Sequence, residues 1–192
     1  MPGKRAKILS DENIEDLLLF AETTRYPLRN KVVVLLSARA GLRAGEIAKL
    51  TWDMVSGPAG EISWSLELPN HAAKKGSGRA VPIHPDLQRS LSELRASTRA
   101  TGPVIASERG GKPMTPVSIV LWFAQAYRAI GLDGCSSHSG RRTFITRAAR
   151  LVYRAGGSLR DVQLLAGHRS IQTTQGYIDG DTDAQRKLVS LM

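Results

Sequence analysis

Apolar residues recur at a helical period through most of the chain. Ile14, Leu17, Leu18 and Ala21 form a stripe spaced for one helix face. Ser10, followed by Asp11 and Glu12, supplies an N-cap and two carboxylates at the positive end of that helix's dipole. Tyr26-Pro27 breaks the pattern. A second helix, from about Asn30 to Ala40, is apolar nearly all round (VVVLLSA), the mark of a central, buried element. Beyond Gly41 a short helix, Ala44 to Leu50, turns Ile47 and Leu50 inward.

The period then changes. After a turn over Ser56 to Gly60, Glu61 to Leu68 (EISWSLEL) alternates as a half-buried strand does, and Ala80 to Ile83 reads as a second short strand. Asn70 to Gly78 between them is polar and carries Lys74 and Lys75, so the expectation is a β-hairpin or three-stranded sheet with both lysines on its loop. Helical period resumes over Pro85 to Ser97, Thr115 to Ile130 and Ser139 to about Arg154. After Gly156-Gly157, a helix capped by Ser158 buries Leu159, Val162 and Leu165, and a weak amphipathic helix runs from Thr182 to Leu191. The predicted class is mainly α with a small antiparallel β-sheet (α+β). No linker divides it, so residues 1–192 read as a single domain with residues 1–9 as a basic, flexible arm.

Composition narrows the partner. The 192 residues suffice for one well-formed core. There are 27 Lys and Arg against 17 Asp and Glu, a net charge of +10 that attracts polyanions, of which nucleic acid is the commonest. Cys135 is the single cysteine, which excludes an internal disulfide and fits a reducing cytosol. No apolar run reaches the roughly 18 residues that span a bilayer, which argues against a membrane partner. His71, His84 and Cys135 lack metal-ligand spacing, so no metal site is expected.

The chemistry concentrates in a few residues. His138 and Arg141 share a helix face at i and i+3, His168 follows Gly167 at a helix end, and Tyr177 comes shortly after. Arg43 opens the short helix that holds Glu46. Cutting a phosphodiester without a metal needs an activated nucleophile, neutralisation of the charge growing on the non-bridging oxygens, and a proton for the leaving alkoxide. Arginine forks suit the second task, histidine and lysine the proton transfers, and a tyrosine phenol the attack.

The order G-L-R-x-x-E (Gly41 to Glu46), lysine in a hairpin before R-x-V-P (Arg79 to Pro82), H-x-x-R (His138 to Arg141), then G-H with a tyrosine nine residues on, resembles the tyrosine recombinase, or phage integrase, family. The resemblance spans Gly41 to Tyr177. It implies that Arg43 and Arg141 hold the scissile phosphate, His138 helps move the nucleophile's proton, and His168 donates a hydrogen bond to the phosphate. Tyr177 attacks to give a 3′-phosphotyrosyl link, and a lysine protonates the 5′-oxygen. Spacing from Arg79 points to Lys74 as that lysine, with Lys75 the alternative. Glu46 is structural support.

The implied activity is site-specific DNA strand cleavage and rejoining (integration, excision or inversion) with no metal or other cofactor. The implied partners are double-stranded DNA and further copies of the chain, as a tetramer on paired sites, with accessory DNA-bending proteins also to be looked for. The implied place is a bacterial-type cytosol, at the nucleoid. Two alternatives use the same fold: a catalytically silent DNA-binding relative, and a type IB topoisomerase-like relaxing enzyme. Two departures stand out. Gly140 replaces the family's usual leucine before the second arginine. The helical clamp domain expected ahead of Arg43 has no counterpart in the pattern, which reads as a catalytic-domain-only recombinase, like the family's short invertases, or as a fragment of a longer gene product.

Overall fold

The computed structural model describes residues 6–98, 101–108, 110–177, 186, 189–190 and 192, without the side chain of Lys75. Its helices are α1 (Asp11–Glu22), α2 (Pro27–Ala38), α3 (Ala44–Ile47), α4 (Pro85–Ser97), α5 (Pro116–Ala129), α6 (Ser139–Leu151), α7 (Leu159–Ala166) and α8 (Ile171–Gln175). Strands β1 (Ser65–Leu68) and β2 (Arg79–Pro82) lie between α3 and α4.

The apolar helix α2 is the centre. Every residue from Val32 to Ala38 is buried, and α1, α4 and α6 pack around it. The main core runs from Leu9 and α1 through α2, the hairpin and α4 to α5. A smaller cluster, Ile145, Ala149, Val152, Val162 and Ala166, joins α6 to α7, with Phe144 and Tyr177 packed on it. Local signals fix the helix starts. Ser10 accepts a hydrogen bond from Asn13 N at 3.1 Å, and Thr115 does the same for Ser118 N. Proline stands in the first turn of α2, α4 and α5, where its missing N–H costs nothing.

Several boundaries differ from the patterning. Helix α2 begins at Pro27, whose fixed φ and missing N–H suit a first helical turn, whereas α1 has already ended at Glu22. The strand expected from Glu61 is regular only over Ser65–Leu68. The residues before it fold back on the preceding turn, with Ser56 bridged to Ile62 and Ser63 N donating to Val55 O. The sheet therefore has two antiparallel strands, in register Leu68 to Arg79 and Leu66 to Val81. The two lysines sit in a 3-10 turn, Lys74–Gly76. Helix α8 was not anticipated, since IQTTQ has no apolar stripe. The helix expected over 182–191 lies outside the described residues, apart from Arg186, Val189 and Ser190, which are helical.

The arm expected over residues 1–9 ends sooner. Residues 1–5 lie outside the described residues, but Leu9 is buried, its N–H donates to Thr143 Oγ1 and its carbonyl accepts from Arg147. Arg147 also pairs with Asp11, so it fastens the entry to α1 onto α6 and is not a free basic face.

Two glycines set how closely α6 approaches α2. Gly41 has φ +65°, and a Cβ there would sit 2.4 Å from Phe144 Cδ1. A Cβ on Gly140 would meet Ser37 Oγ at 2.4 Å and Ser37 Cβ at 3.0 Å. This contact accounts for glycine where the family carries leucine. The helix-propensity loss of about 1 kcal/mol against alanine is accepted for a backbone-close contact. Introducing Gly140→Leu is expected to destabilise the fold by about 1–3 kcal/mol through overpacking. Urea unfolding checks this, and Ser37→Gly should restore part of the loss. An unchanged midpoint in the single variant would refute the contact.

Candidate active site

The site is built on a buried carboxylate. Arg43 is the N-cap of α3, and Glu46, one turn on, is 1% exposed. Glu46 accepts from Arg43 N at 2.9 Å and Arg43 Nη1 at 2.8 Å, and from Arg79 Nη1 and Nη2 at 3.2 and 3.1 Å. Burial alone would raise its pKa. The Arg79 hydrogen bonds and charge, with the backbone N–H and charge of Arg43, outweigh burial and hold the carboxyl at about 2. Arg79 is itself almost wholly buried, and its Nε donates to Leu165 O at 2.9 Å. One guanidinium thus ties β2 to α3 and to the end of α7.

Sequence reasoning used Arg79 only as a spacing marker. The signal was present: the period of a strand puts Arg79 on the same face as Val81, which is buried, so its side chain turns inward and needs a partner.

Arg141, in the first turn of α6, is 3% exposed. Its Nη1 donates to Gly41 O, and its Nη2 donates to Ala166 O at 2.7 Å and lies 3.2 Å from His168 Nε2. The left-handed turn at Gly41 aims that carbonyl, and the C-terminal end of α7 supplies the other. Burial, then the charge of Arg43, lowers the Arg141 pKa, with Glu46 opposing; a guanidinium remains charged regardless.

His168 is placed by the end of α7. Gly167 adopts φ 60°, ψ 43°, and the chain reverses with His168 N donating to Gln163 O and Gln163 Nε2 donating to His168 O. The ring contacts Thr174 Oγ1 through Nδ1 at 3.0 Å and stacks on Tyr177 with centroids 5.5 Å apart. Helix α8 positions both contacts, since Thr174 is on it and Tyr177 just beyond. Burial, followed by the charges of Arg141, Arg43 and Arg79, lowers the His168 pKa to about 4. His138, the N-cap of α6, is lowered by burial and then by Arg141, Lys74 and Arg43.

Arg43, Lys74, His138, Arg141, His168 and Tyr177 all line one cavity of about 570 Å³. Glu46 lies behind it. Arg142 also lines it, and its Nε is buried without a hydrogen-bond partner. Among the described residues no carboxylate lines the cavity, and none of them form a cluster of three or more metal-ligating acids, histidines or cysteines. Four fixed cations and two neutral imidazoles around a phenol form a receptor for an anion with oxygen acceptors.

Comparison with known proteins agrees with this geometry. Residues 7–183 match the phage integrase family. Tyrosine recombinase XerC of Brucella suis biovar 1 (strain 1330) is 30% identical over 167 residues, covering 84% of this chain and 50% of the relative. Tyrosine recombinase XerD of Xanthomonas axonopodis pv. citri (strain 306) is 30% identical over 193 residues, covering 92% and 59%. The chain therefore spans about half the length of the curated relatives it matches. The crystal structure of XerA recombinase shares the fold at TM-score 0.75 and 22% identity, over 99% of this chain and 66% of that one. A lambda integrase (75–356) dimer bound to a COC′ core site does so at TM-score 0.72 and 20% identity, over 94% and 62%.

The Glu46 cluster makes a pH prediction. Its folded pKa of about 2 lies below the ordinary 4.5, so its contribution is complete above pH 4.5 and is lost as pH falls toward 2. The difference corresponds to about 3 kcal/mol. Glu46→Gln should lose about 3–5 kcal/mol at neutral pH, because Arg79 is left buried and unpaired. It should also flatten the acid limb of a stability-against-pH series measured by urea unfolding. A variant whose limb between pH 4.5 and 2 matched the wild type would show that the carboxylate is not the group responsible.

Proposed function

The chain belongs to the phage integrase family, and from that premise we propose that it is a site-specific recombinase that breaks and rejoins DNA strands through Tyr177. The observation that carries this reading is one cavity in which a phenol, two imidazoles and four cations meet with, among the described residues, no lining carboxylate. Double-stranded DNA is the polyanion that matches the cavity and the net charge of +10.

We assign each step to a residue. Arg43 and Arg141 bind the non-bridging oxygens of the scissile phosphate from two elements. Glu46 and the Gly41 and Ala166 carbonyls keep both guanidinium groups oriented before substrate arrives, so little reorganisation is needed as charge develops. The Tyr177 oxygen attacks phosphorus and its proton passes to His138, which burial and then the neighbouring positive charges keep unprotonated. The P–O5′ bond breaks, and Lys74 gives a proton to the departing 5′-oxygen. His168 donates a hydrogen bond to the phosphate. The product is a 3′-phosphotyrosyl ester and a free 5′-hydroxyl. Attack by a 5′-hydroxyl of a partner strand reverses the chemistry without an external energy source. Every charge-neutralising and proton-moving task falls to a side chain that lines the cavity.

Tyr177 lies in the cavity formed by its own chain, which supports cleavage by the subunit that binds the phosphate. Rejoining between two DNA sites calls for several copies, and a tetramer on paired sites is the assembly we propose, with DNA-bending proteins as accessory partners. Among the described residues no helix is long and apolar enough to cross a membrane. The proposed setting is the cytosol, at the nucleoid.

A nicked suicide duplex carrying the protein's own recombination site tests the reading. Wild type should accumulate a covalent adduct and Tyr177→Phe none, and an adduct surviving that change would remove Tyr177 from the mechanism. Lys74→Ala should slow cleavage roughly 10²–10⁴-fold, the range for loss of a general acid. A substrate with bridging sulfur at the 5′ position, whose leaving group needs no proton, should restore most of that rate. Rescue in Lys75→Ala and not in Lys74→Ala would transfer the role to the neighbouring lysine.

A further inference from the structure

The contacts of His168 define its tautomer. A guanidinium has donors and no acceptor. Arg141 Nη2 therefore donates to His168 Nε2, which holds a lone pair and no proton. The proton of the neutral ring is on Nδ1, where it faces Thr174 Oγ1 at 3.0 Å, and the hydroxyl accepts it. Thr174 is fully buried, on a helix of only five residues whose other side chains are half-buried or exposed.

This arrangement suits an empty cavity and opposes a loaded one. Both hydrogens of Arg141 Nη2 are engaged, one by Ala166 O and one by His168. Turning Nη2 toward an anion releases His168 Nε2, and an unprotonated Nε2 would then present its lone pair to a negative oxygen. The ring contributes attraction only if Nε2 carries a proton. A hydroxyl is the one kind of neighbour that serves both ring states by rotating about its C–O bond, since it donates as readily as it accepts.

We propose that Thr174 is a positioning residue whose hydroxyl turns from acceptor to donor when a phosphate enters the cavity, so that His168 exchanges its Nδ1–H tautomer for the Nε2–H tautomer and gives that phosphate a hydrogen bond. The exchange balances: Nε2 takes one proton from water in the open cavity, Nδ1 returns one to water, and the ring stays neutral. The low pKa of the ring agrees, because tautomer exchange leaves no charge among three arginines. The proposal rests on reading the cavity as a phosphate site, and it adds a residue that never touches the phosphate.

The test uses the full chain with 15N-labelled histidine and orthovanadate as the phosphate-like probe. The chain has four histidines, and His168→Gln identifies the His168 signals in long-range proton–nitrogen correlation spectra. The free protein should show His168 with Nδ1 protonated and Nε2 unprotonated, and vanadate should interchange the two patterns. Thr174→Ser keeps the hydroxyl and should behave as wild type, with vanadate affinity within about threefold. Thr174→Val keeps the shape and loses the hydroxyl, so its ring should stay unexchanged and affinity should fall about tenfold. An Nε2–H ring in the free protein, or normal exchange in Thr174→Val, overturns the proposal. Vanadate that binds without exchange in the wild type overturns the proposal alone. Vanadate that leaves the His168 signals and the spectrum unmoved overturns the phosphate-site reading with it.

Discussion

A single buried carboxylate holds the candidate site together. Glu46 neutralises Arg43 in front and Arg79 behind, and those two residues belong to different elements. Arg79 extends the link to Leu165 at the end of α7, and Arg141 closes the circuit through Gly41 and Ala166. Without the carboxylate, three guanidinium groups would face one another in a half-buried space, where unscreened repulsion is severe. With it, positive charge remains on the cavity wall and its compensation is kept out of reach of a substrate. An aspartate, one methylene shorter, would reach less far from α3, and a carboxylate on the wall itself would repel an anion.

Burial, and then this concentration of positive charge, keeps both imidazoles neutral. Each lies beside arginines that disfavour a further proton, and each is partly withdrawn from water. A cavity that holds four cations but keeps its histidines uncharged has proton acceptors available where an alcohol must lose a proton. It also has ammonium or guanidinium donors where charge must be met. The division of labour follows from position: His138 begins α6 near the open side, whereas His168 is pinned between Arg141 and Thr174.

The residues proposed to carry the chemistry were legible in the sequence because their types and spacing are those the proposed reaction needs. The six named side chains all reach one cavity, and Glu46 supports them from behind. What escaped was dictated by three-dimensional contact. Arg79 resembles any strand-end charge until its inward register is combined with the carboxylate it meets. Helix α8 has no apolar period, because it is held by Thr174 against His168 and by the Tyr177 ring on the α6–α7 cluster. Gly140 read as a defect in a helix, yet it records the surface of Ser37 on another helix, a hundred residues away in sequence. The hairpin was expected, but its first strand was over-read for a similar reason: alternation marks which residues face inward but not which neighbour they pair with, and the tight turn before β1 claimed residues that looked like strand.

Precision in such a site comes from backbone as much as from side chains. Arg141 is oriented by two carbonyls, one freed by the left-handed turn at Gly41 and one by the end of α7 at Ala166. Both are helix-terminal or turn groups with no partner inside their own element, so orienting the arginine also satisfies them. The same backbone reversal at Gly167 delivers His168, and a side chain there would press on Arg79 at 2.9 Å. One glycine therefore sets the position of the imidazole and leaves room for the guanidinium that holds Glu46. The short polar helix that follows then has a restricted task, to bring a hydroxyl to the far nitrogen of that imidazole and a phenol to its face. In this arrangement the Tyr177 phenol is the last component placed, and its position depends on the imidazole it stacks on and the cluster it packs against.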